Sequence, residues 1–136
     1  MSSLQYYDEA GAGTENGKKF HYRQAVVIGN IVKCSGQGGW TNDNKLDAND
    51  PLGQVDLAFE NVDRVLRTVG LRGWEDVYLL RSLHVDMGAT YQYVVDKLKQ
   101  RIPNHRPVWT AIAVPRLGFA PMQIELEVEA YIPDKQ

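Results

Sequence analysis

Residues 124 to 132 read I-E-L-E-V-E-A-Y-I, with apolar side chains at 124, 126, 128, 130 and 132 and Glu125, Glu127 and Glu129 between them. Successive side chains of a strand point to opposite faces, so this alternation predicts a strand with one hydrophobic face and one acidic face. At about 3.3 Å of rise per residue the carboxylates stand about 7 Å apart. The acidic face is either solvated surface or the wall of a cleft. In a cleft, burial raises a carboxylate pKa toward the range useful for proton transfer, which makes a glutamate a candidate general acid or base.

The rest of the chain supplies partners for the apolar face. Gln24–Ile28 and Ile31–Ser35 flank Gly29-Asn30, a two-residue hairpin signal. Val55, Ala58, Phe59, Val62, Val65, Leu66 and Val69 recur at spacings of three and four. They mark a helix that starts at Asp50-Pro51 and stops at Gly70. Asp76–Val85 reads as a central strand. Gly88–Arg101 reads as a second helix, burying Tyr91, Val94, Val95 and Leu98 and ended by Pro103. Trp109–Val114 is a further strand. Residues 1–21, rich in glycine and polar residues, are read as a mobile arm or irregular lead-in, and residues 22–136 as a single domain. The order β-β-α-β-α-β-β predicts an α+β fold, with two helices on one face of a mixed sheet and the other face bare. A bare face carrying aromatic and apolar side chains invites oligomerisation.

Composition narrows the function classes. At 136 residues and net charge −2, the chain is long enough for a core and carries no basic stripe for nucleic acid. One cysteine, Cys34, cannot form an intrachain disulfide. No run approaches the length that spans a bilayer, and with no targeting segment evident a cytoplasmic location is expected. His21, His84 and His105 lack ligand spacing, so no metal is expected; His84 reads as a satisfied core histidine. Gly11-Ala12-Gly13 with Gly17 lacks the strand before it and the Gly-Lys-Ser/Thr after it that a phosphate loop needs. Trp40, Trp74 and Trp109 read first as packing residues, and Cys34 as a buried small hydrophobe.

Several short blocks, in order and spacing, resemble the RidA/YjgF family of reactive-intermediate deaminases. They are Tyr22-Arg23-Gln24-Ala25-Val26-Val27-Ile28-Gly29-Asn30, Ser35-Gly36-Gln37, Gln54 and Asn61, Val69-Gly70, Glu75-Asp76-Val77, and Arg106-Pro107 through Glu125-Leu126-Glu127. The resemblance implies a chorismate-mutase-like homotrimer with a small-molecule metabolite in each inter-subunit cleft. It also implies hydrolysis of enamines or imines to carbonyl compounds and ammonia without metal or cofactor, as in 2-iminobutanoate/2-iminopropanoate deaminases. Position by position, it makes Glu125 the catalytic, water-holding residue and places Tyr22, Ser35, Gly36, Trp109 and Thr110 at the substrate. The family's Pro-x-Arg-Ser/Thr reads Pro107-Val108-Trp109-Thr110 here, and tryptophan cannot make the bidentate guanidinium–carboxylate pair. The expectation is therefore a deaminase of altered specificity. The alternatives are a non-catalytic small-molecule-binding trimer, or a tautomerase- or dehydratase-type enzyme using the same cleft.

Overall fold

The computed structural model describes residues 4–133; residues 1–3 and 134–136, the ends of the expected arm and domain, lie outside the described residues. In chain order the elements are β1 (Gln5–Tyr7), α1 (Ala12–Phe20), β2 (Ala25–Ile28), β3 (Ile31–Cys34), β4 (Gln37–Gly38), α2 (Pro51–Val69), a 3₁₀ turn (Trp74–Asp76), β5 (Val77–His84), α3 (Met87–Arg101), β6 (Val108–Ala113) and β7 (Ile124–Tyr131). The strands form one mixed sheet in the order β1-β2-β3-β7-β5-β6, with β4 also pairing β7. Among the described residues only the β5–β6 pair is parallel; the other pairs are antiparallel. The fold is α+β, as expected, but the described residues form three α-helices rather than two.

The added helix falls in the stretch read as an arm. Its glycines argue against a helix on propensity, yet packing demands them. A Cβ on Gly17 would sit 2.7 Å from the Tyr22 carbonyl oxygen, and one on Gly13 would sit 2.9 Å from Glu9 Oε1 and 3.1 Å from Gln24 Cγ. A strand does precede Gly11-Ala12-Gly13, contrary to the sequence reading. The helix N-terminus is nevertheless already occupied by a carboxylate: Glu9 Oε1 accepts from the Gly13 amide at 3.0 Å, and Glu9 also pairs with Arg64 of α2 at 2.6 Å.

The periodic elements form where their patterns place them. Asp50 caps α2 by accepting from the Gly53 amide at 3.0 Å, and Gly70 closes it at φ 102. Gly29, at φ 60 in the first central position, gives the β2–β3 hairpin its type II′ turn. Along β7, Ile124, Leu126, Val128 and Ala130 are buried against α2 in the main core, with Val55, Phe59, Val62 and Leu66 opposite them. Helix α3 packs on α2, β5 and β6, so α2 and α3 share one face of the sheet. Tyr91 departs from the expected pattern. It is exposed on α3 rather than buried, because its ring stacks on Trp109 (centroids 5.2 Å, interplanar angle 13°) at the rim of the sheet.

Candidate functional site

The register orders the uncovered face into rows. Gly38, Glu125, Leu83 and Ile112 form one row across β4, β7, β5 and β6; Glu127, Arg81 and Thr110 form the next; Lys33, Glu129, Leu79 and Val108 form the third. A bulge between Val77 and Leu79 sets this phase, putting Leu80, Ser82 and His84 on the helix-covered face.

Three glutamates of identical chemistry thereby acquire different environments. Glu127 accepts from Arg81 Nε at 3.2 Å. Glu129 accepts from the Tyr78 hydroxyl at 2.5 Å and lies 3.8 Å from Lys33 Nζ. The hydrogen bond to Glu129, with burial and the carboxylate's charge behind it, pushes the Tyr78 phenol up to about 12. Glu125 makes no hydrogen bond or ion pair among the described residues. Burial pushes its pKa above the ordinary carboxylate value, and the charge of Glu127 adds to the shift.

Around Glu125 the chain brings together most of the residues that the sequence pointed to. Gly36 lies directly against its carboxyl group: a Cβ there would be 2.5 Å from Glu125 Cδ, so no other residue fits without moving the carboxylate. Ser35 is held beside Gly36 by its amide and hydroxyl, which donate to the Gln24 carbonyl at 2.9 and 3.3 Å. The Tyr22 phenol is half-buried and its pKa is raised by burial; the Gln24 amide opposes the shift and the Glu125 charge adds to it. Thr110 shares this face, two strands from Glu127 and exposed.

Trp109 does not join them. It sits on the helix-covered face, where its indole N–H donates to Ser82 Oγ at 2.9 Å and its ring lies on Tyr91. Within one chain, Trp109 and Glu125 therefore face opposite sides of the sheet. Ser82 Oγ lies 2.7 Å from His84 Nε2, His84 Nδ1 lies 2.6 Å from Thr90 Oγ1, and Thr90 donates to the Asp86 carbonyl at 2.9 Å. One consistent direction satisfies every group: Trp109 to Ser82, Ser82 to Nε2, Nδ1–H to Thr90, Thr90 to Asp86. His84 is thus a neutral, fully bonded core histidine, its pKa lowered by burial. Cys34 is buried and its thiol pushed up to about 12, which removes it as a nucleophile. Among the described residues, no three His, Cys, Asp or Glu side chains gather as a metal site, and no helix is long and apolar enough to cross a membrane.

Sequence reasoning missed the floor of the site as a structural unit. Gln37 Nε2 donates to Gln24 Oε1 at 2.9 Å and to the Ser35 carbonyl at 3.2 Å, both glutamine side chains being fully enclosed. Gln24 Nε2 is buried without a hydrogen-bond partner among the described residues. A buried donor of this kind calls for a water or ligand. Glutamines at positions where a strand expects apolar residues were the available signal. Trp40 closes the other flank: its ring packs over Gly38, the register partner of Glu125.

Several known proteins share this arrangement of elements. The protein YJGH superposes with a TM-score of 0.85 at 25% identity, covering 98% of this chain and 100% of its own. RidA from the Antarctic bacterium Psychrobacter sp. PAMC 21119 gives 0.77 at 23% identity, over 97% and 100% of the two chains. A YjgF-family member from Mycobacterium tuberculosis gives 0.77 at 24% identity, over 95% and 99%. No curated protein matches the chain in sequence. The family model described as endoribonuclease L-PSP matches residues 16–132, a span that includes Tyr22, Ser35, Gly36, Trp109, Thr110 and Glu125. The chain therefore belongs to the endoribonuclease L-PSP family, the group of the YjgF and RidA proteins.

Proposed function

We propose that the protein hydrolyses reactive enamines or imines to carbonyl compounds and ammonia, as a cytoplasmic homotrimer with altered specificity. One observation carries this reading: Glu125 is desolvated, has a raised pKa and is left without a partner, while both neighbouring glutamates are engaged. Such a carboxylate is suited to take a proton from water near neutral pH. Water adds to the imine carbon as Glu125 accepts its proton. Glu125 passes that proton to the nitrogen; the adduct's hydroxyl then gives up its own proton to the nitrogen as the carbonyl forms and the C–N bond breaks, and ammonia leaves with both. Tyr22 and the Ser35-Gly36 segment border the reacting carbon.

The homotrimer is supported by the apolar side chains of the uncovered face, Val108 (64% exposed) and Ile112 (39% exposed) among them. It also gives Trp109 a way to act, because one ligand meets both Glu125 and Trp109 only where two copies meet. Trp109 commits its N–H to Ser82 and has no donor left for a substrate carboxylate. The substrate favoured is accordingly less anionic than an amino-acid-derived imine. The same commitment favours the second reading, a trimer that binds a metabolite without turning it over, or that catalyses tautomerisation or dehydration in the cleft. A ribonuclease role draws no support from a net charge of −2.

Ammonia release from 2-aminoacrylate, and from imines generated in situ by an amino-acid oxidase, tests the proposal. The expected outcome is acceleration over a protein-free control that disappears in Glu125→Ala while the oligomer persists. No acceleration across a panel of anionic and uncharged imines overturns hydrolysis in favour of the second reading.

A further inference from the structure

A second opening lies on the helix-covered side of the sheet, on the opposite face from Glu125 of the same chain. Between the C-terminal half of α3 and the segment entering β6 is a cavity of about 500 Å³, walled by Val95, Leu98, Ile102, Pro107 and Trp109. That volume falls within the range of small-molecule sites. Its wall is preformed: Trp109 is pinned by Tyr91 on one side and by Ser82 at its N–H, and His105 is tied by Nε2 to the Val77 carbonyl at 3.0 Å.

The mouth carries Lys99 and Arg106, and no acidic residue lines the cavity. The other arginines are engaged. Arg23, Arg64, Arg72, Arg81 and Arg101 pair with carboxylates, while Arg67 and Arg116 donate to backbone carbonyls. Arg106 is the exception: neither it nor Lys99 has a hydrogen-bond or ion-pair partner among the described residues. In a chain of net charge −2, two uncompensated cations beside an apolar hollow form a complementary pattern for one ligand chemistry.

We propose that this cavity binds an apolar monocarboxylate. Its carboxylate would sit between Lys99 and Arg106, and its hydrocarbon or aromatic body would lie along Leu98, Ile102 and Trp109. A guanidinium supplies a fork matched to a carboxylate, and the lysine adds a second charge. Apolar burial supplies most of the affinity and the charges set the sign of the ligand.

Calorimetry with decanoate, decanol and decyltrimethylammonium tests this on the full-length protein. Decanoate is expected to saturate at one equivalent per chain. Decanol should bind about tenfold more weakly or worse, in line with the loss of a charge-assisted contact, and the cation should not bind. Lys99→Gln/Arg106→Gln and Lys99→Glu/Arg106→Glu should both weaken decanoate by about tenfold or more, with unchanged thermal unfolding because both side chains are exposed. Glu125→Gln should leave decanoate binding unchanged. The proposal is overturned if decanoate shows no saturable binding, if decanol binds as tightly, or if the double variants retain full affinity. Loss of binding in Glu125→Gln would also overturn it, by moving the ligand to the other site.

Discussion

The two faces of β7 and β5 handle polar chemistry in opposite ways. On the covered face, Ser82, His84 and Thr90 are sealed in, and each is bonded in a single chain of fixed direction. On the open face, charge is plentiful and neutralised pairwise along the rows, Arg81 with Glu127 and Lys33 with Glu129, until the row of Glu125, whose β5 partner is Leu83. A leucine where the neighbouring row has an arginine leaves one carboxylate without a counter-charge. The covered face thus uses polar groups to fix structure, and the open face leaves one carboxylate without a partner among the described residues.

The difference can be tested along a single strand. Leu126 and Glu127 are adjacent but face opposite ways. Leu126→Ala should cost about 2–5 kcal/mol, whereas Glu127→Ala should cost no more than about 1 kcal/mol, since its pair with Arg81 is well exposed. Urea denaturation of both variants measures the gap, and equal losses would mean the open face is as tightly packed as the covered one. Next in size is Ser82→Ala, which strips the Trp109 N–H and His84 Nε2 of their shared partner and should cost about 1–3 kcal/mol. A loss near zero would show that water enters and replaces the hydroxyl.

The smallest effect has the opposite sign. Because the folded-state pKa of Glu125 is raised, its native interactions favour the protonated form. Its relative contribution to stability is fully present below the ordinary carboxylate pKa and is lost as pH rises through the folded value. Glu125→Gln should therefore be more stable than the parent at pH 7–8, with the advantage shrinking as pH falls toward 4. Thermal unfolding across that range decides it; an advantage independent of pH would mean the carboxylate is not desolvated.

The sequence shows which residues alternate, but not which strands meet. The β7 pattern, the α2 stripe with its Asp50 and Gly70 ends, and the Gly29-Asn30 hairpin were legible because each is a local rule. Helix α1 was not, because Gly13 and Gly17 serve close approaches to Gln24 and Tyr22 that exist only in the folded chain. The alternation of β7 brought Glu125 forward with Glu127 and Glu129, and the family resemblance nominated Glu125 among them together with Tyr22, Ser35 and Gly36. The property that separates Glu125 from Glu127 and Glu129 depends on what β5 places beside each of them. The face occupied by Trp109 likewise depends on the parallel register of β5 and β6 and the bulge near Val77.

The hydrogen-bonded chain through His84 has a spectroscopic consequence. A neutral ring with its proton held on Nδ1, enclosed and donated to Thr90, exchanges with water only when β5, the start of α3 and the indole from β6 come apart together. That one imidazole proton is a natural clock for the local opening of this end of the sheet. It can be read in the intact protein without a label and without disturbing either pocket.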